Sequence, residues 1–196
     1  LYICPVKNIA VFASGAGTNA ARIIDYFREH PGIRVVLIVS NKPGAGVLEI
    51  AKKEKIPFLV LDRERFYAGD GYIGELLDRD IRLIVLAGFL WKIPVKLVEA
   101  YRGKIINIHP ALLPLFGGRG MYGRHVHEAV LAAGEKESGI TIHYVDEVYD
   151  HGDIIFQARC PVAETDDPQQ LAKKIRVLEH THYPRVIEDL LKEEVR

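Results

Sequence analysis

The sequence predicts an α/β protein built on a Rossmann-like, mostly parallel sheet with helices on both faces. Three observations lead to this prediction. Short apolar runs alternate with amphipathic helical patterns through the first half of the chain, which is typical of parallel strands joined by helical crossovers. The last two apolar runs are separated only by the turn-rich segment 146–153, which favours added antiparallel strands. A final helical pattern that begins at Pro168 predicts a closing helix.

The first half supplies five strands and the four helices between them. The predicted strands are short, β-rich apolar runs, namely Asn8–Ala13, Arg34–Val39, Pro57–Leu61, Ile81–Leu86 and Ile105–His109. The predicted helices have apolar residues at helical spacing, namely Asn19–Glu29, Gly46–Glu54, Gly71–Arg79 and Pro94–Tyr101.

The second half departs from this alternation. It is predicted to hold a helix at His125–Ala133, strands at Ile140–Val145 and Ile154–Cys160, and a closing helical segment at Pro168–Lys192. Pro184 is expected to break that segment, because proline lacks the N–H of a helical hydrogen bond and its ring clashes with the preceding turn.

Length and composition fit one domain over residues 1–196. The chain has 196 residues, of which 48% are hydrophobic and 27% charged, enough to bury a sizeable core. Residues 1–6 are expected to be a disordered or non-native start. The remainder divides into halves at 7–110 and 111–196.

Charge and cysteine content exclude several classes of protein. Lys plus Arg number 26 and Asp plus Glu number 26, so no net charge draws the chain to nucleic acid or to an anionic membrane. No apolar run approaches the roughly 20 residues that span a bilayer. Cys4 and Cys160 do not resemble a disulfide framework. We therefore expect a soluble cytoplasmic protein, either a monomer or a homodimer.

A glycine-rich loop, Ser14-Gly15-Ala16-Gly17-Thr18-Asn19, follows the first strand and opens the first helix. Free N–H groups at a helix start attract phosphate, and glycine lets the backbone approach it closely. A dinucleotide site needs an acidic residue near the end of the second strand, where this chain has Ser40-Asn41-Lys42. A phosphomonoester therefore fits better, although Lys42 leaves an NADP-dependent oxidoreductase as the alternative enzyme. A non-catalytic phosphate-sensing module is the other alternative.

Asn107 and His109 stand at the end of the fifth predicted strand, just before Pro110. Side chains two residues apart lie on the same side of a strand, and open α/β sheets bind ligands at this edge. An Asn amide can donate a hydrogen bond to a developing oxyanion, and a His can carry a proton near neutral pH. Asp150 or Asp153 could return to the pair and raise the pKa of the imidazole. The arrangement indicates acyl-group chemistry.

Three further features remain open or carry little weight. The pairs His125-Val126-His127 and His180-Thr181-His182 are weak evidence for a metal, so no metal site is expected. His143 is expected beside His109, either orienting the site or filling the core. The loop 115–123, which is rich in glycine, is either a substrate lid or a surface insertion.

Six motifs occur in the order seen in phosphoribosylglycinamide formyltransferases, which the chain resembles from about Lys7 to Leu190. The motifs are Ser14-Gly15-x-Gly17-Thr18-Asn19, Ser40-Asn41-Lys42, Leu86-Ala87-Gly88-Phe89, Asn107-Ile108-His109-Pro110-x-Leu112-Leu113-Pro114, Gly139-x-Thr141-x-His143-Tyr144-Val145 and Tyr149-Asp150-x-Gly152. The chain departs from the family pattern at Leu90-Trp91, where Met-Arg is usual, and at His151-Gly152-Asp153.

The resemblance implies transfer of a formyl group from 10-formyltetrahydrofolate to the primary amine of glycinamide ribonucleotide, without a metal. Asn107 would bind the formyl oxygen and the oxyanion that it becomes. His109 would stabilise that oxyanion and donate a proton, and Asp150 would raise the pKa of His109. A deformylase, which hydrolyses the same donor, is the alternative within the wider superfamily.

The resemblance also implies where the two small-molecule substrates bind. The phosphate would lie on the backbone N–H groups of Ala16, Gly17, Thr18 and Asn19, with Glu179 on the ribose hydroxyls. The pterin would enter a slot formed by Phe89, Leu90, Trp91, Lys92 and Ile93, and its polar edge would meet Asn107 and the backbone of Val145, Asp146 and Glu147.

Overall fold

Strands and helices alternate along almost the whole chain in the structure, a computed structural model that describes residues 6–68 and 70–193. Within those ranges the order is β1 (Lys7–Phe12), α1 (Thr18–Phe27), β2 (Ile33–Ser40), α2 (Gly46–Lys53), β3 (Phe58–Val60), α3 (Arg63–Tyr67), α4 (Ile73–Asp78), β4 (Ile81–Leu86), α5 (Val95–Ala100), β5 (Ile105–His109), α6 (Arg124–Ala132), β6 (Glu137–Tyr144), β7 (Ile154–Pro161) and α7 (Pro168–Glu193). Apart from Val6, the start expected at residues 1–6 lies outside the described residues, and so does Cys4.

The described strands form one sheet in the order β3-β2-β1-β4-β5-β6-β7. Strands β1 to β5 pair in parallel, whereas β6 runs antiparallel to both β5 and β7. This topology confirms the predicted fold class. After β1 the chain continues to β2 on one side of the sheet, and after β4 it continues to β5 on the other side. The carboxyl ends of β1, β4 and β5 therefore border a crevice suited to a ligand.

Two apolar layers cover the sheet, one on each face. The layer that we call the α1 face contains α1, α2, α6 and α7, and its buried side chains include Ile23, Leu48, Val130, Leu171 and Ile175. The layer that we call the α5 face contains α3, α4 and α5, and its buried side chains include Phe66, Leu76, Ile93 and Leu97. Burial on both faces explains why the parallel strands are almost continuously apolar.

The closing helix α7 runs without a break from Pro168 to Glu193, so the break expected at Pro184 is wrong. Proline at this position leaves the carbonyl of His180 without its helical N–H partner. The Nε of Arg22, from α1, donates to that carbonyl oxygen over 3.3 Å. Burial of Tyr183 and Ile187 on either side of the proline holds the helix against the sheet.

The helix α3 was not predicted, and the helix expected at Gly71–Arg79 is shorter, as α4. Asp62 caps α3, because its carboxylate accepts the backbone N–H of Arg65 at 2.8 Å. A helix this short buries a single side chain, that of Phe66, so it leaves almost no periodic pattern in the sequence. In the part of the chain that the structure describes, no helix is long and apolar enough to cross a membrane.

Candidate active site

A cavity of about 600 Å³ opens at the carboxyl ends of β1, β4 and β5. One side, which we call the α7 wall, is lined by Thr18, Asn19, Ile175, Arg176 and Glu179. The opposite side, which we call the aromatic wall, is lined by Phe89, Trp91, Lys92, Val145 and Tyr149. Asn107, His109, His143 and Asp150 line the centre between them. The structure thus brings the three predicted catalytic side chains into one cavity.

The Asn107 amide is oriented by the strand beside it. In the antiparallel β5–β6 pairing Asn107 lies opposite His143, and its Nδ2 is 3.2 Å from His143 Nε2. The other ring nitrogen, Nδ1, donates to the Tyr144 carbonyl at 2.8 Å, and Nε2 also lies 3.6 Å from Asp150 Oδ1. A longer contact of 3.5 Å runs from Asn107 Nδ2 to Asp150 Oδ1. His143 therefore fixes the amide and is more than core filler.

The His109 imidazole is 3% exposed and has contacts on both sides. Its Nε2–H donates to the Phe116 carbonyl at 2.7 Å, and its Nδ1 lies 3.6 Å from Asp150 Oδ2. Burial lowers the pKa of His109, and this effect exceeds the opposing effects of the Asp150 charge and the Phe116 carbonyl. Asp150 raises the pKa of His109, as expected from the sequence, but the net shift is downward because desolvation of the imidazolium outweighs its attraction to the carboxylate.

Asp150, and not Asp153, is the carboxylate that returns to the pair. Its Oδ2 accepts the Gly118 N–H at 2.8 Å, whereas Asp153 is exposed and contributes its backbone carbonyl to the Tyr144 N–H. Burial alone would raise the pKa of Asp150. Contacts with His143, His109 and the Gly118 N–H outweigh burial and lower the pKa, so the group stays a carboxylate at neutral pH.

The loop 115–123 forms part of the site. Phe116 supplies the carbonyl that binds His109, and Gly118 supplies the N–H that binds Asp150. Residues 118–123 also line the cavity, so the loop is not a detached surface insertion. Its use as a lid stays a prediction.

The glycine loop contributes to the cavity only in part. Ser14, Gly15, Thr18 and Asn19 line it, but the predicted residues Ala16 and Gly17 do not. Gly17 has a φ of +78°, and a methyl group on it would lie 2.7 Å from the Cβ of Val47. Glycine is thus required here by the backbone turn and by close packing against α2.

Glu179 lies on the α7 wall and binds the glycine loop. Its Oε2 accepts a hydrogen bond from Asn19 Nδ2 at 3.0 Å. Burial raises the pKa of Glu179 above its ordinary value, although the Asn19 contact partly opposes this. Arg176, which the sequence analysis did not select, lines the same wall one turn earlier. Its position three residues before Glu179 on one helix could have identified it.

The Phe89 and Trp91 rings of the aromatic wall pack against the rings of Phe12, Phe66 and Tyr67. The Phe89 ring packs edge-on against Phe12 at a centroid distance of 5.4 Å. The Trp91 ring packs at a tilt against the rings of Phe66 and Tyr67, with centroid distances of 5.8 and 6.0 Å. Leu90, Ile93 and Asp146 line the cavity here, whereas Glu147 is exposed and does not.

The histidine pairs show no metal-binding geometry in the ranges that the structure covers. No group of three or more His, Cys, Asp or Glu side chains there could hold a metal ion. His125 is exposed and lies 3.6 Å from Glu128, whereas His127 is buried beside the cavity. The expectation that the protein uses no metal stays a prediction.

The profile of the formyl transferase family matches residues 7–187. Together with the sheet topology and the central cavity, this match gives the class of the protein, that of the formyl transferases. The chloroplastic phosphoribosylglycinamide formyltransferase of Arabidopsis thaliana is 41% identical over 202 residues, which cover 97% of this chain and 67% of that relative. The trifunctional purine biosynthetic protein adenosine-3 of Drosophila melanogaster is 41% identical over 189 residues, which cover 92% of this chain and 14% of that relative.

A solved structure agrees with these relatives. The crystal structure of phosphoribosylglycinamide formyltransferase from Bacillus halodurans superposes with a TM-score of 0.84 and 39% sequence identity. The match covers 94% of this chain and 95% of that chain. The chain belongs to the phosphoribosylglycinamide formyltransferase family of one-carbon transferases.

The buried histidines make stability depend on pH. The pKa values of His109 and His127 are lowered chiefly by burial, and those of the partly buried His180 and His182 are lowered in the same way. Below about pH 6.5 the unfolded chain binds protons more readily than the folded chain, so the free energy of unfolding falls as pH falls. Only the exposed His151, whose pKa is raised by Asp146, acts in the opposite direction among these groups.

We expect the midpoint of thermal unfolding to drop between pH 7 and pH 5, with each buried His contributing at most about 1.4 kcal/mol per pH unit. The measurement is calorimetry in matched buffers. The variant His109→Gln should reduce the slope, whereas His125→Gln, at an exposed position, should leave it unchanged. A midpoint that stays constant over this range would contradict the expectation.

Proposed function

We propose that this chain transfers the formyl group of 10-formyltetrahydrofolate to the amine of 5-phosphoribosylglycinamide, in purine biosynthesis. The observation that carries the proposal is the convergence of Asn107, His109 and Asp150 at the centre of one cavity. The mostly polar α7 wall lies on one side of these groups and the aromatic wall on the other. Two different molecules entering from the two sides would meet at the centre.

In the proposed reaction the amine of the acceptor attacks the formyl carbon. A C–N bond forms to the amine, the carbonyl oxygen becomes an oxyanion, and the bond from carbon to the folate N10 then breaks. The amine loses one proton and N10 gains one. Asn107 Nδ2 donates to the oxyanion by exchanging its long 3.5 Å contact with Asp150 for the substrate oxygen.

His109 and Asp150 carry the proton transfer in this proposal. His109 Nε2–H exchanges the Phe116 carbonyl, 2.7 Å away in the structure, for the oxyanion, and the Asp150 carboxylate stabilises the imidazolium while it exists. Burial lowers the pKa of His109, so the ring is neutral before reaction; it takes up the proton that the amine loses and passes a proton on to N10, with Asp150 3.6 Å away while the ring is charged. Holding the amine against the formyl carbon supplies a large further part of the acceleration.

The acceptor is assigned to the α7 wall. Its phosphate is proposed to lie on the backbone N–H groups of Ala16, Gly17, Thr18 and Asn19, at the start of α1, where unpaired N–H groups attract an anion. Glu179 is proposed to bind the ribose hydroxyls. Its burial and its contact with Asn19 support this role, because a buried carboxyl group needs polar partners.

The donor is assigned to the aromatic wall. Phe89, Leu90, Trp91, Lys92 and Ile93 are proposed to hold the pterin, and backbone groups of Val145, Asp146 and Glu147 to pair with its polar edge. An apolar slot with a few polar groups suits a flat heterocycle, and the volume of the cavity is within the range of small-molecule sites.

A formyl-transfer assay with 5-phosphoribosylglycinamide as acceptor and 10-formyltetrahydrofolate as donor tests the proposal. We expect turnover that requires both substrates, followed as formation of tetrahydrofolate. Release of formate without an acceptor would instead indicate a deformylase. Binding of NADPH together with no binding of folate would favour an oxidoreductase and reject the proposal.

A further inference from the structure

His127 lines the cavity together with His109 and His143, and the proposed reaction does not use it. It lies in the first turn of α6, is 6% exposed and lines the cavity. Neither ring nitrogen makes a hydrogen bond within the described part of the chain, and Nδ1 is sealed from solvent. An unpaired buried polar atom destabilises a fold by about 1–3 kcal/mol, so its presence calls for a physical reason.

The position of α6 places His127 on the acceptor side of the site. Helix α6 packs against α7, and Val130, one turn beyond His127, lies in the same apolar layer as Ile175. Ile175 and Glu179 belong to the α7 wall. The aromatic wall packs instead on the α5 face, where Phe89 and Trp91 contact the other layer.

His127 is held in its neutral form. Burial lowers its pKa, and a positive charge on His109, which lines the same cavity, lowers it further. An unpaired N–H inside a protein is rarer than an unpaired lone pair, so the sealed Nδ1 is the nitrogen without the proton. Nε2 then carries the hydrogen and is the nitrogen left to meet a ligand.

A neutral N–H donor that lines the cavity and has no protein partner within the described residues is suited to an oxygen acceptor on a bound substrate. In 5-phosphoribosylglycinamide the amide carbonyl is separated from the attacking amine by one carbon atom. We propose that His127 is a specificity-determining residue whose Nε2–H donates to the glycinamide carbonyl and so orients the adjacent amine toward the formyl carbon. This inference rests on the proposed function and adds to it the part of the acceptor that is recognised.

Three variants of His127 test this inference, with His125→Gln as a matched control on the same helix turn, where the side chain is 66% exposed. His127→Phe keeps a ring but removes both nitrogens. His127→Gln places an amide N–H near the position of Nε2, and His127→Asn places one near that of Nδ1. For each variant the KM of the acceptor, kcat, and folic acid binding are measured, the last through the fluorescence of Trp91, the single tryptophan.

We expect His127→Phe to raise the KM of the acceptor by about 10-fold, as for one lost hydrogen bond, with the affinity for folic acid unchanged. His127→Gln should recover most of the loss, His127→Asn should not, and His125→Gln should match the wild type. The unfolding midpoint of His127→Phe should equal or exceed that of the wild type, because the change removes unpaired buried polar atoms.

The inference is overturned if His127→Phe keeps the wild-type KM, or if it weakens folic acid binding equally. Should His127→Phe fail to fold, equal KM values for His127→Gln and His127→Asn would overturn it. An inactive wild type would reject the proposed function by itself. In that case calorimetric titration of 5-phosphoribosylglycinamide into wild type and His127→Gln or His127→Asn still decides whether His127 binds the acceptor.

Discussion

Replacing Asn107 by alanine is expected to lower kcat by about 10²- to 10³-fold, as for loss of one oxyanion-binding donor. The amide is the side chain at the centre of the cavity that meets His143 at 3.2 Å and faces Asp150 at 3.5 Å. Because a hydrogen bond to the oxyanion forms fully only in the transition state, the KM values of both substrates should change little. Steady-state kinetics with each substrate varied in turn provides the measurement.

Asn8→Ala is the matched control for this variant. Asn8 is also an asparagine in a strand whose side-chain amide makes a hydrogen bond. Its Nδ2 donates to the Arg79 carbonyl at 2.9 Å, at the opposite end of the strands from the cavity. We expect its kcat to equal that of the wild type. A kcat for Asn107→Ala within threefold of the wild type would remove Asn107 from the proposed chemistry.

Replacing Gly139 by alanine is expected to destabilise the fold by more than about 3 kcal/mol, in the range of severe overpacking. A methyl group there would lie 2.0 Å from the Ala158 carbonyl oxygen and 2.7 Å from Leu112 Cδ2. The Leu112 side chain can turn away, but the contact with the Ala158 carbonyl oxygen is too short to be relieved without moving the backbone of β7. Urea unfolding at pH 7.5, followed by circular dichroism, measures the change.

Gly74→Ala is the matched control, because Gly74 is an exposed glycine in α4 with no atom within 4 Å of the added methyl group. Alanine at that position should stabilise the protein by about 0.5–1 kcal/mol, since glycine is the poorer helix former. If Gly139→Ala and Gly74→Ala had the same unfolding midpoint, the close packing at Gly139 would be refuted.

The sequence identified the centre of the site because strand geometry is local. Asn107 and His109 share one side of β5 by simple alternation, and Pro110 marks the end of the strand. The antiparallel pairing of β6 with β7 was also predictable, because the short segment 146–153 between them suits a hairpin. Which aspartate returns to the pair was not predictable, because it depends on a turn whose strained φ of +53° at Asp150 leaves no trace in composition.

Other features depend on contacts between distant parts of the chain. At Pro184 in α7 the missing donor to the His180 carbonyl is supplied by Arg22, which lies far away in sequence. The lowered pKa of His109 depends on how deeply it is buried, which charge pattern alone does not reveal. From the sequence, His127 was only weak evidence for a metal, because its lack of hydrogen-bond partners among the described residues can be seen only in the structure.

The pairing of β5 with β6 limits how this family of chains can change in length. Asn107 faces His143 and His109 faces Thr141, residue against residue. One codon gained or lost within 137–144 would turn every following side chain to the other face of the sheet and would leave the Asn107 amide without its partner. Insertions and deletions among natural relatives are therefore expected in the 115–123 segment, at the edge of the cavity, and not within β6.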